Sequence, residues 1–401
     1  MPIHSSEASQ DCASSSERAL LLLCLAIFVG FLTIGLPLAV IPLYVHNQLG
    51  YGPVIVGCAV GVQFLATVVT RGYAGRMADQ YGSRLAVRRG LVGCSLAGAF
   101  YLLSALLPLA ALGKLAVLII GRLALGFGES LLVTGILAWG IGTVGPAKSG
   151  KVMAWCGMAI YGAMALGAPL GLFIYGHAGL DLIGTLTVIL PLLAFLLIWR
   201  VAPIAPSHGQ RRSFLSVIGR IWQPALALAL QGVGFASIGA FVSLYFVSKQ
   251  WPGAGLALTC FGLAFAFVRV VAGHLPDKLG GPRVALFSLI VEACGLLLLW
   301  SAPNATVALL GAAITGLGSS LIFPSLGLVV VHRVEPQVRA TALGGFAAFQ
   351  DIAYGLTGPL TGLLVNEHGY PAVFLVAALC ALAGLGIAID LYRRNTVIPI
   401  S

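Results

Sequence analysis

Long apolar runs alternate with short polar segments along nearly the whole chain. Most of the runs contain about 20 residues, the length that an α-helix needs to cross the hydrocarbon core of a bilayer. The pattern therefore predicts an all-α membrane protein with twelve membrane-spanning helices, called spans one to twelve. The predicted spans cover residues 19–44, 53–70, 90–112, 115–141, 152–175, 182–199, 222–247, 255–273, 284–302, 306–331, 341–365 and 372–392.

The composition excludes a soluble protein. Hydrophobic residues make up 59% of the 401 residues and charged residues only 8%, so the chain carries more apolar surface than a soluble domain can bury. The polar residues before span one precede an apolar run that is too long for the core of a signal peptide, and we expect no cleaved targeting segment. The bilayer is the expected environment.

The chain offers no chemistry typical of an enzyme. No pair of its eight cysteines has metal-ligand spacing, no histidine cluster lies at membrane depth, and no P-loop is present. We therefore expect a protein that is not an enzyme and that binds no metal, no cofactor and no nucleotide.

The net charge of +10 is distributed unevenly. Nearly all basic residues fall in loops on one side of the predicted membrane, which indicates that both termini are cytoplasmic. This bias explains the charge without a nucleic-acid partner. The basic residues on this side are Arg18, Arg71, Arg76, Arg84, Arg88, Arg89, Lys148, Lys151, Arg200, Arg211, Arg212, Arg220, Arg269, Lys278, Arg283, Arg333, Arg339, Arg393 and Arg394.

One motif, Arg-x-x-Ala-Gly-x-x-x-Asp-x-x-Gly, occurs twice, each time near the end of an apolar run. Fainter repeats link span four with span ten and span five with span eleven, so the chain reads as two six-helix copies with parallel topology. The predicted layout is a cytoplasmic tail at 1–18, one half at 19–200, a cytoplasmic linker at 201–220, a second half at 221–392 and a tail at 393–401. The motif residues are Arg71, Ala74, Gly75, Asp79 and Gly82 in the first copy and Arg269, Ala272, Gly273, Asp277 and Gly280 in the second.

The first copy resembles a loop signature of the major facilitator superfamily, Gly-x-x-x-Asp-Arg-x-Gly-Arg-Arg. Four positions match, at Gly75, Asp79, Gly82 and Arg84. Over essentially the whole chain, the resemblance implies two pseudo-symmetric six-helix bundles with a substrate site between them. We expect the two motif copies to form gating contacts that break when the cytoplasmic side opens. Alternatively, their charges only anchor the loops at the lipid headgroups.

Span four carries two ionisable residues that lipid does not tolerate. Arg122 and Glu129 are seven residues apart, which places them on one helix face about 10 Å apart along the axis. Because a charge inside the membrane needs protein or water around it, both should face the interior. The run around them resembles the superfamily's helix-four motif, in which the arginine is associated with proton transfer. We expect Glu129 to bind the coupling proton; a static ion pair between helices is the alternative.

Two further sets of polar residues lie at membrane depth. Asp351 on span eleven is a second candidate for proton coupling, with Gln350 and Tyr354 beside it as candidate substrate contacts; a fixed hydrogen bond between helices would explain Asp351 equally well. Gln231 on span seven is another candidate substrate contact. Glu292 lies on span nine, which is peripheral in the superfamily, and it needs only one partner.

Span five contains a glycine-rich segment around a proline. Gly167, Pro169 and Gly171 resemble the superfamily's antiporter motif, in which glycines permit close helix packing and a proline bends the helix. The segment favours export over uptake.

These patterns together predict a secondary active transporter that moves a small organic solute by alternating access. Proton-coupled efflux of a drug or sugar is the first hypothesis, with protons, the substrate and the bilayer as the partners. Proton-coupled uptake is the alternative, and a non-transporting receptor is a third possibility. We expect a monomer in the inner membrane of a bacterium.

Overall fold

The computed structural model describes residues 4–145, 148–204, 215–335 and 338–397. Within these residues the regular secondary structure is helical, with a short π-helix at Tyr44–Gln48. The helices are α1 (His4–Leu38), α2 (Val40–Leu43), α3 (Pro53–Gln80), α4 (Ser83–Leu106), α5 (Ala111–Val144), α6 (Ser149–Trp199), α7 (Leu215–Ser248), α8 (Ala254–Ala272), α9 (Leu275–Leu279), α10 (Gly281–Trp300), α11 (Ala305–Ser319), α12 (Ile322–Arg333), α13 (Arg339–His368) and α14 (Tyr370–Val397).

The helices account for all twelve predicted spans. Ten helical segments in the described part of the chain are long and apolar enough to cross a membrane, and α11 with α12 forms one of them. Helix α6 holds spans five and six, which are separated at Gly179, where a φ of 75° breaks the helix. Span eleven is α13, which the ten do not include because polar residues such as Gln350 and Asp351 lower its hydropathy.

Span two extends further than the hydropathy pattern predicts, whereas α8 agrees with the predicted span eight to within one residue at each end. Helix α3 continues to Gln80, so Arg71 lies inside a helix and not in the loop. Arg269 likewise lies inside α8, in its last turn. The reason is that an arginine lowers the local hydropathy without ending a helix, provided that its charge finds a partner.

Helices α1–α6 form a first bundle and α7–α14 a second. The bundles meet mainly along two lines, α3 against α13 and α6 against α8. Large apolar side chains such as Val69, Phe267 and Phe287 point outward and are exposed, as expected for a lipid-facing surface. The largest buried apolar cluster contains residues from both bundles, including Phe64 and Phe235.

The ends of the two bundles differ in how closely they approach. We call the end with the loops at Gly82 and Gly280 the motif end, and the other the far end. Toward the far end, a Cβ added to Gly57 or Gly61 would collide with the backbone of α13 at Gly358 or Gly355. Glycines thus bring α3 and α13 into backbone contact there.

The predicted tails and linker fall only partly on described residues. Helix α1 begins at His4, so most of the predicted tail at 1–18 belongs to its first turns. Residues 205–214 of the predicted linker, with Arg211 and Arg212, lie outside the described residues, as do 1–3 and 398–401.

Candidate functional site

An ion pair joins the two bundles at the α3–α13 contact. Arg71 donates from Nε to Asp351 Oδ2 at 2.9 Å, and its Nη2 contacts the same oxygen. The two side chains are mostly buried, with exposed fractions of 22% for Arg71 and 11% for Asp351. Arg71, which the sequence placed in a gating motif, therefore contacts Asp351, which it proposed for proton coupling.

Glu129 lies beside this ion pair on α5. Its Oε2 accepts a hydrogen bond from Gln63 Nε2 at 2.8 Å and another from Thr67 Oγ1 at 3.3 Å, both from α3. The residue is buried, and Arg71 and Asp351 are close enough to interact with it electrostatically. Arg71 thus pairs directly with Asp351 of the other bundle and interacts electrostatically with Glu129 of its own bundle.

Arg122 has different neighbours from Glu129, although both lie on α5. Its guanidinium donates to the carbonyl oxygens of Ala59 at 3.0 Å and Val60 at 2.9 Å, so it ties α5 to the backbone of α3. The arginine that pairs with a candidate carboxylate is Arg71 on α3.

The α6–α8 contact carries a second arginine. The Arg269 guanidinium carbon lies 5.1 Å from the ring centroid of Tyr161 on α6 and 5.6 Å from that of Phe265 on its own helix. These distances are within the range of a cation–π interaction. Each bundle therefore presents the arginine of its own motif copy to a helix of the other bundle.

Aromatic side chains fill the space between these two contacts. Tyr354 lies between Phe64 of the first bundle, at a centroid distance of 5.1 Å, and Phe235 of the second, at 4.9 Å. Gln350 is buried one turn away on α13. Of the predicted substrate contacts, Tyr354 thus lies on the surface where the bundles meet.

Gln231 lies elsewhere. Its Nε2 donates to Glu292 Oε1 at 3.3 Å, and both side chains are buried inside the second bundle, between α7 and α10. The other carboxylate oxygen of Glu292, Oε2, has no hydrogen-bond partner among the described residues.

Comparisons with known proteins identify the family. The sequence model of the Major Facilitator Superfamily matches residues 23–256 and 225–396. An uncharacterized MFS-type transporter of Salmonella typhimurium is 48% identical over 381 residues, which cover 95% of this chain and 98% of that protein. The chain belongs to the major facilitator superfamily. It is therefore a multi-pass membrane transporter and not an enzyme.

Solved structures of the superfamily share this fold. A D-xylose–proton symporter has a TM-score of 0.76 with 18% identity and covers 92% of this chain and 97% of its own. The nucleoside transporter NupG has a TM-score of 0.73 with 14% identity and covers 93% of this chain and 100% of its own. Within the major facilitator superfamily, this fold therefore accommodates chemically different substrates.

The superfamily's motif glycines have a visible structural role. Gly82 and Gly280 occupy equivalent positions before α4 and α10, with φ values of 93° and 86°. Because this left-handed region is costly for residues with a Cβ, glycine suits both sharp turns. Of the other motif residues, Arg84 donates from Nη2 to the carbonyl oxygen of Trp199 at 3.2 Å.

For the remaining motif residues, the gating role stays a prediction. Gly75 is buried within α3, and Gly273 ends α8. Asp79 lies near the end of α3, and Asp277 is exposed in the first turn of α9.

The glycines of the α6 segment that resembles the antiporter motif bring α6 close to α1. A Cβ on Gly167 would approach the backbone of Gly35, and one on Gly171 would collide with the backbone of Leu36. Pro169 lies within the same stretch of α6. This packing lies inside the first bundle.

Sequence reasoning missed Thr67 and Tyr161. The repeat contains the signal for Tyr161, which precedes Pro169 by eight residues, as Asp351 precedes Pro359. The two positions are equivalent in the two halves, and each faces a motif arginine. A search for polar residues alone overlooks this tyrosine because the equivalent position holds an acid in one half and an aromatic ring in the other.

Proposed function

We propose that the protein is a proton-coupled secondary transporter that exports a small organic solute across the bacterial inner membrane. The observation that carries the proposal is the position of two buried carboxylates, Glu129 and Asp351, around one arginine where the bundles meet. The motif end faces the cytoplasm in this proposal, because the basic loops lie at that end. The bacterial relatives support the choice of membrane.

The proton changes how tightly the bundles are held together. When Glu129 carries a proton, Arg71 is free to pair with Asp351 of the other bundle. When Glu129 is ionised, two carboxylates compete for one guanidinium, and the hold on Asp351 weakens. Because membrane surroundings screen charges poorly, this change is sufficient to shift the balance between two conformations.

Export is preferred over uptake because the α6 segment around Pro169 resembles the antiporter motif. Uptake by symport remains the second candidate, since the same carboxylates would serve it. The direction of proton movement relative to the solute separates the two.

The test uses purified protein in liposomes that contain a pH-sensitive dye. Sugars, amino acids and amphiphilic drugs are screened for a proton flux that depends on the substrate. Glu129→Gln is the main variant, because glutamine keeps an acceptor for Gln63 and Thr67 but binds no proton. Glu292→Gln is the matched control, since Glu292 is a buried glutamate whose hydrogen-bond partner, Gln231, belongs to its own bundle.

We expect proton movement opposite to solute movement, lost in Glu129→Gln and kept in Glu292→Gln. Proton movement in the same direction as the solute would replace export by symport. Solute movement that is unaffected by a pH gradient, in the wild type as in Glu129→Gln, would contradict proton coupling.

A further inference from the structure

Arg269 is a cation between the bundles that has no carboxylate partner among the described residues. Its guanidinium lies over the rings of Tyr161 and Phe265, and its Nε has no hydrogen-bond partner among the described residues. A ring face attracts a cation but leaves the N–H donors of a guanidinium unused. The site is therefore electrostatically incomplete.

Arg71 shows what a complete site looks like. Its charge is balanced by Asp351 across the interface. The equivalent position opposite Arg269 holds Tyr161, which remains neutral at physiological pH. The duplicated scaffold thus neutralises one of its two interface arginines and leaves the other positively charged.

An apolar cavity is lined by Tyr161 and Phe265, the two residues whose rings Arg269 contacts. It is enclosed by residues of both bundles, and its volume of about 30 Å³ leaves room for a water-sized molecule only. Rings from both sides fill the remaining space, with Tyr161 and Phe265 at a centroid distance of 4.9 Å and Phe235 and Phe261 at 5.7 Å. Because Tyr161 belongs to the first bundle and the other three rings to the second, movement of one bundle against the other enlarges this space.

We propose that Arg269 binds the anionic group of the substrate, and that the substrate is an amphipathic organic monoanion. The planar guanidinium matches a carboxylate or sulfonate through two parallel hydrogen bonds. One unbalanced positive charge fits one negative charge, and Arg71 is already paired. The rings around the cavity fit an aromatic or branched apolar body. This inference rests on the proposed transport function and assigns its substrate class.

The test compares three probes of the same shape and different charge. They are 2-naphthoate, the neutral 2-naphthalenemethanol and the cationic 2-naphthylmethylamine, each measured by equilibrium binding to the full-length protein in detergent. We expect saturable binding of 2-naphthoate, and affinities at least about tenfold weaker for the other two, equivalent to about 1.4 kcal/mol.

Variants assign the binding to Arg269. Arg269→Gln should weaken 2-naphthoate binding by at least about tenfold, and Arg269→Lys by less, because lysine keeps the charge but not the planar fork. Arg283→Gln is the matched control: Arg283 also lies over a ring, that of Tyr392, but its side chain is exposed on α10. Thermal unfolding without ligand checks that each variant is folded. If Arg269→Gln does not fold, the test relies on Arg269→Lys and on the three probes measured with the wild type.

Three results would overturn the assignment. They are unchanged 2-naphthoate affinity in Arg269→Gln, equal binding of the neutral or cationic probe by the wild type, and no saturable binding of 2-naphthoate. The proposed function fails separately. If 2-naphthoate binds through Arg269 but no solute moves in liposomes, the site stands without transport. If an uncharged solute moves with protons and no anion binds, transport stands without this site.

Discussion

Each of the two interface contacts contains the arginine of one copy of the repeated motif, but the two contacts differ in chemistry. At the α3–α13 contact, Arg71 meets the carboxylate of Asp351, with Glu129 close by. At the α6–α8 contact, Arg269 meets the ring of Tyr161. The first contact has the carboxylates that we propose for proton coupling, and its arginine is paired. The second has no carboxylate in the described residues and leaves its arginine available to a ligand.

This difference separates two tasks that a coupled transporter has to perform. Proton binding needs carboxylates whose protonation changes a contact between the bundles, and in the proposed mechanism Glu129 and Asp351 have this role. Substrate binding needs a group that becomes paired only when the ligand arrives, and the second contact provides that group. Both contacts bridge the bundles, so the proposed mechanism couples them through movement of one bundle against the other.

The largest effect should follow from breaking the first contact. In Asp351→Asn, Arg71 remains charged and buried without its carboxylate, which typically costs about 3–5 kcal/mol. We expect proton-driven transport in liposomes to disappear and the unfolding midpoint in detergent to fall.

A double variant distinguishes an unpaired charge from a general packing defect. Arg71→Gln combined with Asp351→Asn removes both charges and should recover part of the stability that either single change loses. Proton-driven transport should stay absent in the double variant. If the two single losses simply add, the pair is not energetically coupled and the comparison of the two contacts loses its basis.

The second prediction makes the two contacts alike. Tyr161→Asp places a carboxylate opposite Arg269, at the position equivalent to Asp351. We expect binding of 2-naphthoate to weaken by at least about tenfold more than in Tyr161→Asn, which removes the ring without adding a charge. Equal affinities in the two variants, measured by equilibrium binding, would show that the charge on Arg269 does not hold the anion.

Much of the fold is predictable from the sequence because lipid imposes a simple rule on length and polarity. The twelve spans, the two halves and the superfamily follow from apolar runs and from a repeat of glycine and charge. The helix ends are less accessible to this reasoning. Arg71 lowers the local hydropathy and makes the run of span two look shorter than α3 is.

The site is predictable only in part, because residue type does not determine which neighbour a side chain meets. Glu129 and Asp351 stand out as acids in apolar helices, and the structure brings both to the interface. The ion-pair partner of Asp351, Arg71, lies 280 positions away in the sequence. Gln231 is also a polar residue in an apolar helix, yet it bonds to Glu292 within the second bundle. Helix rotation and bundle packing decide these pairings, and a single sequence records neither.

The third prediction compares glycines on the two interface helices of the first bundle. A Cβ at Gly57 would collide with the backbone of Gly358, whereas one at Gly157 would meet nothing within 4 Å. Gly57→Ala should therefore cost about 1–3 kcal/mol by overpacking. Gly157→Ala should be neutral or stabilising by up to about 1 kcal/mol, because alanine favours a helix. Unfolding midpoints in detergent test both, and similar losses would contradict a close contact that is confined to the far end.

The smallest effect is expected at Glu292, the buried acid of the second bundle. A Cβ on Gly318 would meet the backbone of Glu292, and a Cβ on the equivalent Gly128 would meet Cys94. Glu292 therefore occupies the place in the second bundle that Cys94 occupies in the first. In Glu292→Gln the amide oxygen still accepts from Gln231, and the change in stability should stay near or below about 1 kcal/mol. Proton-coupled transport should persist, in contrast to Glu129→Gln. If Glu292→Gln also abolishes proton flux while the protein stays folded, the second bundle carries a coupling proton too, and the division of tasks between the two interface contacts is wrong.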